Sequence, residues 1–185
     1  MISSWEELSE SIKDCKKCGL CEGRTNIVIG VGEHNTNIML IGEGPGADED
    51  AQGIPFVGKA GQLMNQAFAG LGIDRSKLYI ANVVKCRPPE NRVPTKEEAN
   101  SCKEYLDAQI KLINPKIIVL LGATALQNVL GEEYKITSAR GKWIEKDGIS
   151  YMPTWHPAAL LRDESKKIQF WNDLKLVIEK EKVNE

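Results

Sequence analysis

Four short apolar runs, separated by stretches of helical periodicity, restrict the fold of this chain more than any other feature. They are Asn37-Ile38-Met39-Leu40-Ile41-Gly42 and, more loosely, residues 78–84, 116–122 and 149–155. Continuous apolar runs of this length suit strands buried on both faces, as in a parallel sheet. Between them, residues 59–71 place Leu63, Met64, Ala67, Phe68 and Leu71 on one helical face, with Gly72 where a C-terminal glycine stops a helix. Thr95-Lys96-Glu97-Glu98 has the form of a capping box, and the helix it opens is expected to run to about Ile113, where Asn114-Pro115 breaks it. Residues 123–130 and 166–180 complete the set, the latter with Ile168, Trp171, Leu174, Leu176 and Ile178 as its apolar positions. This alternation predicts an α/β fold, a three-layer α/β/α sandwich with a central, mainly parallel four-stranded sheet. Ligands bind such sheets beyond the carboxyl ends of the strands. Those ends are Gly42-Glu43-Gly44-Pro45-Gly46, residues 82–86, Gly122-Ala123-Thr124 and Trp155-His156-Pro157.

With 185 residues, 42% of them hydrophobic, the chain can bury one core of ordinary size. A single domain over residues 1–185 is expected, since no repeat, low-complexity tract or linker interrupts it. No basic segment leads into an apolar run, and no stretch approaches the roughly 20 apolar residues of a membrane span. A soluble, cytoplasmic, monomeric protein with no membrane partner is expected. The formal net charge of −2 neither points to nucleic acid nor excludes it. Local basic clusters occur at Lys85, Arg87 and Arg92, at Arg140 and Lys142, and at Arg162, Lys166 and Lys167. Ordinary solvated charge accounts for most clusters of this kind.

Five cysteines without a secretory leader argue for metal binding or catalysis over a disulfide framework. Cys15 and Cys18 are two residues apart, so one turn of backbone can present both thiolates to one centre. Cys86 and Cys102 are separated by fifteen residues and straddle the expected start of a helix. Four soft sulfur ligands suit either zinc or an iron–sulfur cluster, and spacing alone does not choose between them. Cys21 repeats the Cys-x-x-Cys spacing and could substitute in the ligand set, although one cysteine beyond four reads more plainly as a free thiol. Lys16, Lys17 and Glu22 make this segment too polar for a buried core.

Taken in order, Cys15-x-x-Cys18, Gly42-Glu43-Gly44-Pro45-Gly46, Pro55-Phe56-Val57-Gly58-Lys59-Ala60-Gly61, Asn82-Val83-Val84-Lys85-Cys86-Arg87-Pro88-Pro89-Glu90-Asn91-Arg92, Cys102 and Trp155-His156-Pro157 resemble the family 4 uracil-DNA glycosylases. The resemblance runs from Cys15 to about Arg162, and its specificity lies in the combination. It implies excision of uracil from DNA by hydrolysis of the N-glycosidic bond, the opening step of base excision repair. It also implies a [4Fe–4S] cluster on Cys15, Cys18, Cys86 and Cys102, structural because glycosidic hydrolysis transfers no electrons. The implied partner is uracil-containing DNA, single- or double-stranded, with a processivity clamp as a further candidate.

Each motif then acquires a role. A base inside a duplex must be extruded into a pocket at a cost of a few kcal/mol. Phe56, on a Gly- and Pro-flanked loop, is the candidate to stack on it, with Gly42 and Gly44 beside it in the pocket. Asn82 ends an apolar strand, where an amide can donate to uracil O4 and accept from N3–H, which separates uracil from cytosine. His156 is the candidate donor to uracil O2 as charge builds on the departing base; the other histidine, His34, lies in a polar turn. Leu160 is the first candidate to wedge into the vacated stack and Leu161 the second. One departure limits the mechanism: Gly44 stands where the best-known family of the superfamily carries a water-orienting aspartate. Glu43, Glu49 and Asn91 are the nearby polar groups, and the resemblance favours Glu43 and Asn91 as active-site residues.

Two other readings compete. A relative that captures uracil-DNA covalently would carry an inserted basic loop with a histidine, but Arg92 passes directly to Val93-Pro94-Thr95. A zinc-stabilised DNA-binding domain without catalysis would need only the thiolates and the basic clusters.

Overall fold

A computed structural model describes residues 1–184 of the chain. Its strands are β1 (Val31–Gly32), β2 (Ile38–Gly42), β3 (Tyr79–Asn82), β4 (Ile117–Leu121), β5 (Ile144–Lys146) and β6 (Ile149–Thr154). The helices are α1 (Trp5–Ile12), α2 (Ala47–Gln52), α3 (Lys59–Gly70), α4 (Lys96–Ile113), α5 (Ala123–Leu130), α6 (Ile136–Ala139), α7 (Pro157–Arg162) and α8 (Ser165–Asn184).

The strands form one sheet in the order β1-β3-β2-β4-β6-β5. The four inner strands are parallel and coincide with the four apolar runs. The expected four-stranded sheet is corrected to six by antiparallel edges, β1 on β3 and β5 on β6. Both edges are two or three residues long and mostly exposed, too short to leave a periodic signature.

Strand pleating divides the core in two. Met39, Ile41, Ile118 and Leu120 face α1, α4 and α5, while Ile38, Leu40, Ile117 and Val119 face α3, α7 and α8. This is the expected three-layer sandwich. The capping box forms as expected: Thr95 Oγ1 accepts from the Glu98 amide and Glu98 Oε1 from the Thr95 amide. Asn114 closes α4 in the left-handed conformation, ahead of Pro115. The reading of α8 needs correction. Phe170, Leu174, Val177 and Ile178 are its buried apolar residues, whereas Ile168 is 69% exposed and Leu176 is exposed. The inward stripe also admits Asp173, which accepts from Arg140 and from Thr154 Oγ1 at the end of β6. Among the described residues, no helix is long and apolar enough to cross a membrane.

Candidate functional site

The order of the inner strands reverses at β2, with β3 on one side and β4 on the other. A crevice is expected beyond the carboxyl ends at such a switch point. A cavity of about 410 Å³ lies there, lined by Glu43, Phe56, Asn82, Asn91, His156 and Leu161 among others. Its size falls within the range of small-molecule sites.

Asn82 is the last residue of β3 and is buried, and its Oδ1 has no hydrogen-bond partner among the described residues. Leaving a buried acceptor unpaired costs about 1–3 kcal/mol, so an orphan of this kind calls for a ligand that donates to it. Gly42 makes the space around it. A Cβ on Gly42 would stand 2.5 Å from both Asn82 Oδ1 and the Phe56 ring.

Phe56 adopts a left-handed backbone at φ 52°, a region that a bulky residue enters only when its surroundings enforce it. Here they do. The Arg75 guanidinium donates to the carbonyls of Pro55 and Phe56, and Glu49 Oε2 accepts from the amides of Val57 and Gly58 at 2.8 Å each. The ring therefore stands fixed at the cavity wall, its centroid 5.4 Å from that of His156.

His156 caps α7, and its Nδ1 accepts from the Ala158 amide at 3.1 Å. The proton of the neutral ring consequently sits on Nε2, which becomes a donor. Burial, reinforced by the nearby Arg162 cation and opposed by Glu49, pushes the imidazole down to about pKa 4. The ring is therefore neutral at pH 7.

Glu43 follows β2, and its Oε2 accepts from Thr124 Oγ1 at 2.6 Å. Asn91 lines the same cavity from a turn in which both Glu90 and Asn91 have positive φ, and its Oδ1 accepts from Arg87 Nε at 2.8 Å. Gly44 also lines the wall, and a Cβ there would meet Val84 Cγ2 at 2.8 Å, so a larger residue would displace the strand-end packing.

Leu160 requires a correction. Residues 157–162 form a helix, and successive residues of a helix point about 100° apart. Leu160 is 1% exposed in the core under α7, while Leu161 is 52% exposed and lines the cavity. The basic clusters shrink as well: Lys85 is fully buried and Arg140 pairs with buried Asp173. Thr124, Arg75 and the loop-holding role of Glu49 escaped the sequence reading. Position at the end of a strand was the available signal for Thr124.

A second cavity is lined by Cys15, Cys18, Cys21, Cys86 and Cys102 together with Arg24. The four cysteines expected as ligands thus come together from the segment after α1, the loop after β3, and α4. Arg24 donates to the Cys15 carbonyl at 2.6 Å and to Cys86 Sγ at 3.4 Å. Among the described residues, no three His, Cys, Asp or Glu side chains are grouped so as to hold one metal ion.

The sequence profile of the Uracil DNA glycosylase superfamily matches residues 29–175. The type-4 uracil-DNA glycosylase of Thermotoga maritima is 48% identical over 166 residues, which cover 89% of this chain and 86% of that protein. The type-4 enzyme of Sulfurisphaera tokodaii is 43% identical over 187 residues, covering 96% and 85% respectively. That of Pyrobaculum aerophilum is 43% identical over 177 residues, covering 91% and 90%.

Proposed function

This chain belongs to the uracil DNA glycosylase superfamily, alongside its type-4 members, and on that premise we propose that it excises uracil from DNA in the cavity at the end of β2 and β3. It is a hydrolase of the N-glycosidic bond, acting in base excision repair. The observation that carries the residue-level reading is the orphaned Asn82 Oδ1 beside Gly42 and Phe56. Uracil N3–H donates to that oxygen, while the Asn82 amide nitrogen donates to O4. Cytosine presents the opposite pattern, an acceptor at N3 and a donor at N4.

Extrusion of the nucleotide places its base against Phe56. As the glycosidic bond lengthens, electrons withdraw onto the base and charge gathers at O2. His156 Nε2–H donates to that oxygen without giving up its proton, since the neutral ring is a poor acid. A donor set in place beforehand costs no reorganisation at the moment of reaction. The sugar becomes cationic, and the Glu43 carboxylate stabilises it and orients the water that adds to the anomeric carbon; the proton that water sheds is balanced by the one the departing uracil anion takes up from solvent. Asn91 contacts the same face of the substrate, and Leu161 fills the gap left in the stack. Arg87, half-buried and bonded to Asn91, and exposed Arg162 supply cations near the mouth for the phosphate backbone, whereas the Arg92 guanidinium is paired with both Glu98 oxygens.

The thiol cavity fits a [4Fe–4S] cluster on Cys15, Cys18, Cys86 and Cys102. Its donors are all sulfur, and a four-iron cube takes one thiolate at each iron, so the sulfurs need not crowd round one metal. Arg24, already bonded to Cys86 Sγ, offsets the negative charge of such a centre. When bound, the cluster supplies a cross-link among three segments of chain. Cys86 lies four residues beyond Asn82, so that cross-link steadies the strand end bearing the base-reading amide.

Release of free uracil from a uracil-containing strand, with an abasic site left behind, tests the reading. Binding without release, or covalent capture of the strand, would overturn it.

A further inference from the structure

A hydroxyl outside the recognised motifs reaches the carboxylate of the cavity. Thr124, the second residue of α5, donates from Oγ1 to Glu43 Oε2 at 2.6 Å. That length is typical of a hydroxyl bonded to an ionised carboxylate. The two residues leave neighbouring parallel strands, Glu43 from β2 and Thr124 from β4, so the bond spans the switch point of the sheet.

Glu43 makes no other side-chain hydrogen bond and no ion pair among the described residues. Its side chain has three rotatable bonds, and without a tether those would remain free. Thr124 is itself well held. Its carbonyl accepts from Asn128 Nδ2 at 2.8 Å, and α5 is anchored through buried Ala125 and Leu126. A β-branched side chain on that rigid base has few χ1 states.

We propose that Thr124 is a positioning residue for excision: its hydroxyl fixes one Glu43 oxygen and leaves the other to face the cationic sugar and its attacking water. The inference rests on the role given to Glu43 above. Misplacing a reacting group by about 1 Å can cost 10²-fold in rate, so a tether matters even though it never touches substrate.

Single-turnover excision by the cluster-containing protein tests this in a double-mutant cycle. Thr124→Val keeps the side-chain shape and removes the donor; Thr124→Ala serves if the valine variant fails to fold. Loss of one charge-assisted hydrogen bond predicts a rate lower by roughly 10–30-fold. Affinity for a strand bearing 2′-fluorinated deoxyuridine, whose glycosidic bond resists cleavage, should stay within about 2-fold if positioning alone is lost. Thr124→Ser should recover most of the rate, and in a Glu43→Ala background Thr124→Val should cost nothing further. An unchanged rate in Thr124→Val, no recovery in Thr124→Ser, or the same fractional loss with and without Glu43 would each overturn the inference. Wild-type protein that releases no uracil overturns the proposed function instead, before any variant is compared.

Discussion

Replacing His156 with alanine tests a catalytic and an electrostatic consequence of the same geometry. The ring accepts from the Ala158 amide at Nδ1 and carries its proton on Nε2, and burial pushes its pKa from 6.5 to about 4. At about 1.36 kcal/mol per unit, a shift of that size makes protonation of the folded protein cost roughly 3 kcal/mol. The sign follows from which state binds the proton. Above pH 6.5 both folded and unfolded chains hold the ring neutral and stability is complete. Between 6.5 and about 4 only the unfolded chain takes the proton, so stability falls with pH and levels off below 4. The His156→Ala variant lacks this group and should lose less stability as the solution is acidified. With two histidines in the chain, the His156 ring resonance is assigned by its disappearance in the variant and then titrated by NMR. It should titrate near 4. Single-turnover excision by the wild type should show no break near pH 6.5, and the variant should be slower by roughly 10²–10³-fold, the usual loss for one preorganised donor. A midpoint near 6.5, a break in rate at that pH, or an unchanged rate in the variant would refute the reasoning.

Leu161→Ala should weaken excision from duplex more than from single-stranded DNA while leaving thermal stability within about 0.5 kcal/mol, because the side chain is exposed. Leu160→Ala should instead destabilise the fold by roughly 2–5 kcal/mol, since Leu160 is buried under α7. Reversed effects in paired melting and excision assays would restore Leu160 as the wedge. Anaerobically purified protein should be brown, with iron and acid-labile sulfide retained in Cys21→Ser and lost in Cys86→Ser. Equal loss from both would mean that the ligand set is wrong, and stoichiometric zinc in colourless protein would exclude the cluster.

Local patterning made the inner sheet legible, because strands buried on both faces leave unbroken apolar runs and helix ends leave caps. Edge strands of two or three residues leave neither, which is why β1 and β5 were missed. Asn82, Phe56 and His156 could be singled out because motif residues at strand ends converge on one crevice. Leu160 and Leu161 could not be ranked in sequence, since the choice turns on whether residues 157–162 are loop or helix. A tether such as Thr124 to Glu43, or the Arg75 clamp on Phe56, joins residues 81 and 19 positions apart. No local periodicity reports such contacts. Lys85 shows the reverse failure: it reads as a surface cation, yet its ammonium donates to the Asn82 carbonyl and Gln109 Oε1 inside the core.

The most direct test of the account is single-turnover excision by Asn82→Asp on matched strands carrying uracil or cytosine at one position. Aspartate removes the donor to O4 and accepts from cytosine N4, while an ionised carboxylate repels the N3 acceptor. The wild type should release uracil and spare cytosine by a margin approaching the 10⁴–10⁵ attainable at a hydrogen-bonding site. In the variant, uracil release should fall steeply and that margin should shrink. A variant that kept both its uracil rate and its selectivity would contradict the claim that the orphaned amide at the end of β3 reads the base.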